Sequence, residues 1–354
     1  MKIFFDARYT RTDYHDGISR YSAELGNALN KLTPVTFLIS DEKQKKWFPK
    51  DASFLKVHPG TSVKEPFTAL ILNKYKPDVV YSPMQTIGTF GRKYTSVLTP
   101  QDMIYYRHPK APGFLPFFVR AGWWLYHQVY WPQRMLLKGG DIITTVSHTS
   151  ADDLKKARMT NKPIHVIYNA PQKFTKYPVK HEKTIKNIVY MGSFMPYKNA
   201  ETLIRGMQWL PGRTLHLLSR ISPERKTELQ TLVPEGAQVV FHNGVSDDEY
   251  ERLLADDAIL ATASLDEGYG IPVAEAMAMG VPVVVSDIPV FHEVGASGAL
   301  YFDPAKPEDF AQKVCQLDNP KFRKQQIDHG LKHMKQFSWN ASARALLKAI
   351  KDAL

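Results

Sequence analysis

Residues 264–284 read SLDEGYGIPVAEAMAMGVPVV, and no other segment says as much about the fold. A short apolar run precedes the segment, and Pro272 stands at the favoured first-turn position of a helix. Gly268 and Gly270 allow the backbone to approach a ligand closely, and the N–H groups of a helix N-terminus suit a phosphate. The segment therefore predicts a strand, a glycine-containing turn and a helix that together bind an anion.

Two glutamates flank the predicted start of this helix. Glu267 lies just before the helix, and Glu275 lies inside its first turns. Carboxylates at these positions can accept hydrogen bonds from the hydroxyls of a sugar or a ribose. Glu275 stands in the otherwise apolar run 271–279, where a lone carboxylate needs a partner. The alternative is an ordinary helix start with a solvated Glu275, and the apolar surroundings disfavour it.

A second strand–turn–helix pattern occurs at residues 188–204, which read IVYMGSFMPYKNAETLI. The apolar strand enters a glycine turn, and Asn199 is predicted to cap the helix that follows. Lys198 stands where an ammonium group can neutralise a diphosphate leaving group. Taken alone, a lysine at a helix start is more often an ordinary surface residue.

Strands and helices alternate along the whole chain. This pattern predicts an α/β protein with two doubly wound parallel sheets, which bind ligands at the carboxyl ends of their strands. The first domain is predicted at residues 1–172, a polar linker at 173–186 and the second domain at 187–337. A closing helix is predicted at 338–354. No G-x-G-x-x-G motif follows the first strand and no P-loop occurs, which disfavours a dinucleotide oxidoreductase or a P-loop ATPase.

The composition of the 354-residue chain is typical of a soluble globular protein, with 44% hydrophobic and 23% charged residues. Cys315 is the only cysteine, so an intrachain disulfide and a cysteine zinc site are excluded. Residues 1–180 carry 27 Lys and Arg against 13 Asp and Glu, whereas residues 181–354 carry 19 against 22. This asymmetry favours a polyanionic partner for the first domain, or reflects lysines that only keep it soluble.

Targeting signals are not visible in the sequence. Asp6 interrupts the apolar N-terminus too early for a signal peptide, and Arg120 and His127 interrupt the apolar run 111–131. We therefore expect a cytoplasmic protein, with peripheral attachment to the inner face of the cell membrane as a candidate addition.

Together the two segments resemble the signatures of the retaining, nucleotide-sugar-dependent glycosyltransferases of family 4. The resemblance covers almost the whole chain. It implies the GT-B fold, in which two Rossmann-like domains face each other across a cleft and the C-terminal helix crosses back to the first domain. It also implies a nucleotide-sugar donor and no metal cofactor, since Lys198 and the helix N-terminus stand where a metal ion otherwise neutralises the diphosphate.

The resemblance assigns roles to individual residues. Glu267 contacts the donor sugar near its reacting face, Glu275 holds the ribose hydroxyls and Lys198 holds the diphosphate. Glu267, Lys198 and Gln101 are the catalytic candidates. The donor-binding candidates are Gly17, Ser193, Lys198, Asn243, Gly244, Glu267, Gly268, Tyr269, Gly270, Ile271 and Glu275. The acceptor-region candidates are Asp16, Asp102, Tyr105, Arg107, Ser147 and Asn169.

Gln101 departs from the pattern of the family, which usually has a histidine there. Glutamine still donates and accepts hydrogen bonds, but it cannot carry a proton or a charge. Two interpretations follow: an active transferase with an altered donor preference, or a catalytically weak nucleotide-sugar binding protein. The intact Glu267 and Glu275 favour the first.

Further resemblances narrow the choice of donor and acceptor. The start Asp6-Ala7-Arg8 resembles GDP-mannose users, which favours mannose transfer to a glycan or lipid-linked acceptor in cell-surface polysaccharide or glycolipid synthesis. A UDP-sugar-dependent glucosyl- or galactosyltransferase is the alternative. Aromatic and basic residues interleave over residues 105–131, which suits an anionic membrane surface or, equally, a core helix with solvated basic residues. No nucleic-acid-binding motif occurs, and we do not expect a nucleic acid as a partner.

Overall fold

The computed structural model describes residues 1–111, 116–181 and 184–354. Parts of the predicted linker and of the aromatic and basic segment, residues 182–183 and 112–115, lie outside this description. The chain forms two compact units. Unit 1 contains Met1–Asn169 together with Phe337–Leu354, and unit 2 contains Ala170–Gln336.

Unit 1 is built on a parallel sheet. Its strands are β1 (Ile3–Asp6), β2 (Val35–Ile39), β3 (Ser53–Lys56), β4 (Val79–Ser82), β5 (Thr95–Leu98), β6 (Ile142–Thr145) and β7 (Ile164–Val166). They pair in the order β3-β2-β1-β4-β5-β6-β7. Because side chains alternate along a strand, Phe4 joins a cluster on one face of the sheet. Phe5 packs against Phe37 and Tyr81, with ring centroids 5.9 and 4.8 Å apart.

Unit 2 is built on a second parallel sheet. Its strands are β8 (Asn187–Tyr190), β9 (Thr214–Leu217), β10 (Gln238–Phe241), β11 (Ala258–Thr262), β12 (Val283–Ser286) and β13 (Ala299–Phe302). They pair in the order β10-β9-β8-β11-β12-β13. The central strand β11 is buried at every residue, as expected for a parallel sheet covered on both faces.

Helices connect the strands in both units. They are α1 (Gly17–Asn30), α2 (Thr68–Leu72), α3 (Ile104–Arg107), α4 (Phe117–Tyr126), α5 (Trp131–Lys138), α6 (His148–Lys156), α7 (Ala200–Gly206), α8 (Pro223–Gln230), α9 (Asp247–Ala255), α10 (Ile271–Met279), α11 (Pro289–Gly295), α12 (Pro307–Gln316), α13 (Pro320–Met334) and α14 (Trp339–Asp352). No helix in the described ranges has the length and apolarity needed to cross a bilayer. The two sheets with their flanking helices confirm the predicted doubly wound α/β class.

The C-terminal helix α14 belongs to unit 1, as predicted. Its Ser338 N-cap accepts from Ala341 N at 3.2 Å, and Ser342 Oγ donates to Tyr168 O at 2.6 Å. The ring of Trp339 meets Tyr21 of α1 edge-on, with centroids 6.0 Å apart. Helix α14 therefore covers α1 and the end of the unit 1 sheet.

The predicted linker is attached to unit 2 where the structure describes it. Glu251 of α9 accepts from Tyr177 N at 3.1 Å and also from Lys176 N. Lys180 N donates to Ala255 O at 2.9 Å. These contacts leave no apolar periodicity in the sequence, because the linker makes them through its backbone N–H groups.

The sequence pattern located most strands but missed two at sheet edges. It predicts strands at 35–39, 79–82, 238–241 and 283–286, and β2, β4, β10 and β12 have these bounds. β3, an edge strand with no fully buried residue, was not predicted. β13, an edge strand of the second sheet, was missed as well. Edge position alone does not explain the two misses, since the edge strand β10 was predicted although it also has no fully buried residue.

Candidate active site

The order of the strands in unit 2 reverses between β8 and β11. β8 pairs with β9 on one side and with β11 on the other. Loops that leave two such strands run to opposite sides, and the opening between them is where open parallel sheets bind ligands. The loop after β8 leads to Lys198, and the loop after β11 contains Glu267.

Lys198 and Glu267 form an ion pair at this reversal point. Lys198 Nζ donates to Glu267 Oε1 at 2.5 Å, and the two side chains are only 16% and 15% exposed. Ser264 Oγ donates to the same oxygen at 2.9 Å. Ser264 thus holds the Glu267 carboxylate, and Glu267 holds the Lys198 ammonium group. Salt screens a largely buried pair of this kind less than a surface pair.

The loops that carry this pair are tied together through the backbone. Leu265 N donates to Tyr197 O at 2.7 Å, next to Lys198 in the chain. Asn199 then adopts a left-handed conformation with a φ of 50°, and its side chain makes no capping hydrogen bond to α7. It donates instead to Pro304 O at 2.9 Å. Asn199 therefore occupies the predicted N-cap position, but its Oδ1 accepts from Thr202 Oγ1 at 3.0 Å and not from a first-turn N–H group.

Helix α10 begins directly after the Glu267 loop, with Pro272 in its first turn as predicted. Gly270 occupies the N-cap position and brings no capping side chain. The first-turn N–H groups and the positive end of the helix dipole therefore face the loop that holds the ion pair. Glu275 is buried in the second turn of α10, so the alternative of a solvated Glu275 is wrong.

Gly270 is a residue of this loop at which an added side chain would clash. Its φ is +95°, and a Cβ there would lie 2.8 Å from Cε1 of the buried Phe291. We expect Gly270→Ala to lower the free energy of unfolding by roughly 2–4 kcal/mol and to weaken nucleotide binding. Denaturant unfolding and nucleotide titration measure the two effects.

Gly280 provides the matched control for this prediction. Its φ is also positive, at +80°, but the atom nearest to an added Cβ is 3.6 Å away. Gly280→Ala therefore brings backbone strain without the steric clash, and nucleotide binding should be unchanged. Equal effects of the two substitutions would show that Gly270 has no special role in the loop.

The turn after β10 contains Asn243 and Gly244, both with positive φ. Asn243 Oδ1 accepts from Ile221 N at 3.1 Å, and Gly244 N donates to Leu218 O at 2.8 Å. These bonds hold the turn against the end of β9. β10 lies two strands from β8, about 10 Å at the usual strand spacing, so a ligand held at Lys198 can extend along the edge to Asn243.

The other predicted donor residues lie on the same loops. The Ser193 carbonyl accepts from Tyr190 Oη at 2.6 Å, which closes the turn after β8. Tyr269 is buried, and Ile271 is the first residue of α10. Gly268 lies between Glu267 and Tyr269. The carboxyl edge of unit 2 thus gathers every predicted donor residue except Gly17, which belongs to unit 1.

In unit 1, the predicted residues follow different strands at one edge of the sheet. Gln101 follows β5, Ser147 follows β6 and Asn169 follows β7. Gln101 Nε2 donates to Pro83 O at 2.8 Å. Asn169 is buried, and its Oδ1 has no hydrogen-bond partner among the residues that the structure describes. A buried acceptor without a partner can take a hydrogen bond from a ligand or from water.

Two of the predicted residues act as helix caps. Asp16 accepts from Ser19 N at 2.9 Å at the start of α1, next to Gly17. The sequence also predicts Ser147 as the cap of the helix that follows it, and Ser147 Oγ accepts from Ser150 N at 3.0 Å at the start of α6. Each cap satisfies one first-turn N–H group with a side-chain oxygen.

The remaining acceptor-region candidates lie on or beside α3. Asp102 accepts from Ile104 N at 3.0 Å, and Arg107 forms an ion pair with Asp153 at 2.8 Å. The Tyr105 ring meets Trp123 of α4 edge-on at 4.8 Å. Each of the three residues therefore makes a contact within unit 1, and its role toward an acceptor stays a prediction.

A buried charge cluster in unit 1 was not anticipated from the sequence. Arg8 donates to Asp6 Oδ1 at 2.8 Å and to Glu65 Oε2 at 2.7 Å. Burial lowers the pKa of the Arg8 guanidinium, but the two carboxylates outweigh it and raise the pKa. The only available signal was the Asp6-Ala7-Arg8 run, because Glu65 is distant in the chain and no local pattern links it to Arg8.

Two models of known families match the chain. The model described as Glycosyltransferase Family 4 matches residues 15–170, and the model described as Glycosyl transferases group 1 matches residues 185–319. These ranges cover most of unit 1 and most of unit 2. Both contain residues that the sequence pattern had singled out, among them Gln101 in the first and Lys198, Glu267 and Glu275 in the second.

Two curated relatives are mannosyltransferases. The O-antigen chain mannosyltransferase RfbU of Salmonella typhimurium is 33% identical over 195 residues, which are 52% of this chain and 53% of that protein. The MMP alpha-(1->4)-mannosyltransferase of Mycolicibacterium hassiacum is 26% identical over 261 residues, which are 66% of this chain and 61% of that protein. The chain thus spans little more than half the length of these relatives.

A solved structure agrees over nearly the whole chain. Anabaena Alr3699/HepE in complex with UDP-glucose has a TM-score of 0.74 at 15% identity, covering 99% of this chain and 100% of that one. The fold and the site define a protein of two Rossmann-like units with a ligand-binding edge at the reversal of the unit 2 sheet. The chain belongs to the family 4-type glycosyltransferases and has the GT-B fold.

Proposed function

We propose that this protein transfers mannose from GDP-mannose to a glycan or lipid-linked acceptor, with retention of the anomeric configuration and without a metal ion. The observation that carries the proposal is the Lys198–Glu267 ion pair at the reversal point of the unit 2 sheet. Family membership and the mannosyltransferase relatives support it.

The proposed reaction breaks the bond between the anomeric carbon and the donor phosphate oxygen. The acceptor hydroxyl forms the new bond on the same face of the sugar, and its proton passes to the departing phosphate. Negative charge then develops on the nucleoside diphosphate, where Lys198 and the N-terminus of α10 stabilise it. Glu267 keeps Lys198 in place and lies beside the reacting face of the sugar.

The donor is proposed to lie along the carboxyl edge of unit 2. Glu275 holds the ribose hydroxyls, and the turn at Asn243 and Gly244 faces the base. GDP is favoured because the relatives are mannosyltransferases and because the Asp6-Ala7-Arg8 start resembles GDP-mannose users. A UDP-sugar donor is the second candidate, and it is favoured by the UDP-glucose bound in the Anabaena structure.

The acceptor is proposed to bind unit 1, where Asn169 presents a buried unpartnered oxygen among the described residues. A growing surface polysaccharide, the kind of chain that the O-antigen relative extends, or a lipid-linked sugar fits this role. We place the reaction in the cytoplasm, at the inner face of the membrane.

Binding without turnover is the alternative that Gln101 keeps open. Its side-chain amide donates to Pro83 O, and glutamine cannot shuttle a proton. This alternative predicts tight nucleotide binding and no release of nucleotide from any donor, even after Gln101→His. The intact ion pair of Lys198 and Glu267 favours catalysis over it.

The nucleotide preference is tested by thermal unfolding and donor turnover. GDP is expected to raise the melting temperature of the protein more than UDP does, because bound ligand stabilises the folded state. Release of nucleotide should be seen from GDP-mannose and not from UDP-glucose, UDP-galactose or UDP-N-acetylglucosamine. A shift with UDP alone would overturn the choice of GDP, and an inverted anomeric proton in the product by NMR would overturn retention.

A further inference from the structure

Helix α4 exposes its apolar side chains to a degree unusual for a globular protein. None of its ten residues is buried. Phe117, Phe118 and Leu125 are 83%, 75% and 62% exposed, and Trp124 is 51% exposed. The sequence left open whether this segment is a core helix of unit 1, and the structure shows that it is not.

The exposed residues of α4 share one face of the helix. At 100° per residue, Phe117 and Trp124 lie close together on the helix surface, and Phe118 and Leu125 lie beside them. The opposite face packs inward: Trp123 meets Tyr105 at 4.8 Å. Helix α4 is therefore apolar on the side that points away from the protein, the reverse of an ordinary surface helix.

Helix α5 continues this surface. Trp131 and Met135 are one turn apart and exposed, and Lys138 is exposed on the same side. The opposite side buries Gln133 and Leu137. We call the exposed residues of the two helices the α4–α5 face. Its members are Phe117, Phe118, Arg120, Trp124, Leu125, Trp131, Met135 and Lys138.

The sequence around this face is rich in basic residues. Between Asp78 and Asp141 it has seven Lys and Arg and one acidic residue, Asp102, and two of the seven, Arg92 and Arg107, pair with Asp141 and Asp153. Asp102 is partly buried and accepts from the backbone N–H of Ile104. Exposed aromatic side chains surrounded by basic ones are the combination that binds the interface of an anionic bilayer.

We propose that the α4–α5 face docks on an anionic lipid bilayer, with α4 lying in the interface and its apolar face among the acyl chains. A second copy of the chain is a poorer occupant. A twofold interface brings the patch onto itself, so Arg120 and Lys138 would be buried against a face that has no acidic member. A bilayer of anionic lipid supplies both the apolar layer and the negative charge.

Flotation with lipid vesicles tests this proposal, and it requires neither donor nor acceptor. The full chain is mixed with vesicles of phosphatidylcholine alone or with 30% phosphatidylglycerol (roughly −30 mV or more negative at the surface). We expect flotation with the anionic vesicles only. Trp124→Glu together with Leu125→Glu should reduce the bound fraction about tenfold or more, and Arg120→Glu with Lys138→Glu should act in the same direction.

Trp209 provides the matched control, since it is 46% exposed in unit 2, close to the exposure of Trp124. Trp209→Glu should leave flotation unchanged, and circular dichroism should show that every variant is folded. No flotation with anionic vesicles would overturn the proposal, as would equal flotation with neutral ones. Dimers in solution that Trp124→Glu dissociates, in a protein that does not float, would assign the face to a second copy instead.

A failure of vesicle binding is distinguishable from a failure of the proposed transfer reaction. The flotation variants lie on α4 and α5 of unit 1, whereas the proposed donor residues Lys198, Glu267 and Glu275 belong to unit 2. Nucleotide release from a soluble donor should therefore persist in Trp124→Glu. Flotation without turnover of the donor would support the bilayer proposal and contradict the transfer proposal.

Discussion

A Lys198→Met protein is expected to release nucleotide from its donor about 100- to 1,000-fold more slowly than the unchanged protein. The substitution keeps the length of the side chain and removes the ammonium group that stabilises charge on the departing diphosphate. Because that charge grows in the transition state, kcat should fall more than KM rises. Steady-state assays of nucleotide release measure both constants.

The double variant with Glu267→Gln sharpens this test. Lys198 and Glu267 are in direct contact at 2.5 Å, so their substitutions should be strongly non-additive. We expect the double variant to be little slower than Lys198→Met alone. Lys324, which pairs with Asp328 on the exposed side of α13, supplies the control, and Lys324→Met should keep full activity. Unchanged turnover in Lys198→Met would refute the proposed role.

An Arg8→Met protein is expected to lose about 3–5 kcal/mol of unfolding free energy in unit 1. The Arg8 side chain is fully buried, as is Asp6, and Glu65 is 10% exposed. Removing the guanidinium leaves the carboxylates of Asp6 and Glu65 without the cation that bridges them. Urea unfolding, followed by a probe in unit 1, measures the loss.

The exposed Arg92–Asp141 pair is the matched control for Arg8. Its N–O distance is 2.5 Å, but its side chains are 24% and 41% exposed. An exposed pair contributes about 0–1 kcal/mol, so Arg92→Met should change the unfolding free energy by no more than that. If the two substitutions destabilise the protein equally, burial is not what makes the Arg8 cluster important.

The parts of the fold that were predictable are those with a local chemical signature. β4 and β12 are buried at every residue, and such strands appear in a sequence as uninterrupted apolar runs. The start of α10 follows from Pro272 and the glycines before it. Lys198 and Glu267 have a similar local signature, since they lie in the loops after the apolar strands β8 and β11, and their role toward a donor stays a prediction.

The parts that were not predictable depend on contacts between distant segments. Glu65 completes the Arg8 cluster from 57 residues away, and nothing near Glu65 announces it. Asn199 stands at the N-cap of α7, yet its Oδ1 accepts from the Thr202 hydroxyl, and its amide group donates to the distant Pro304 O. The outward direction of Trp124 was likewise hidden, because periodicity distinguishes the two faces of a helix without telling which one is covered.

The return of α14 to unit 1 has a consequence for how the chain folds as it is made. Unit 2 is a continuous segment, whereas unit 1 is completed only by residues 337–354. During synthesis on the ribosome, Tyr21 of α1 therefore lacks its ring partner Trp339 until all of unit 2 has been synthesised. Domains usually fold in order of synthesis from the N-terminus. Here we instead expect the second unit to close before the first, which residues 337–354 complete.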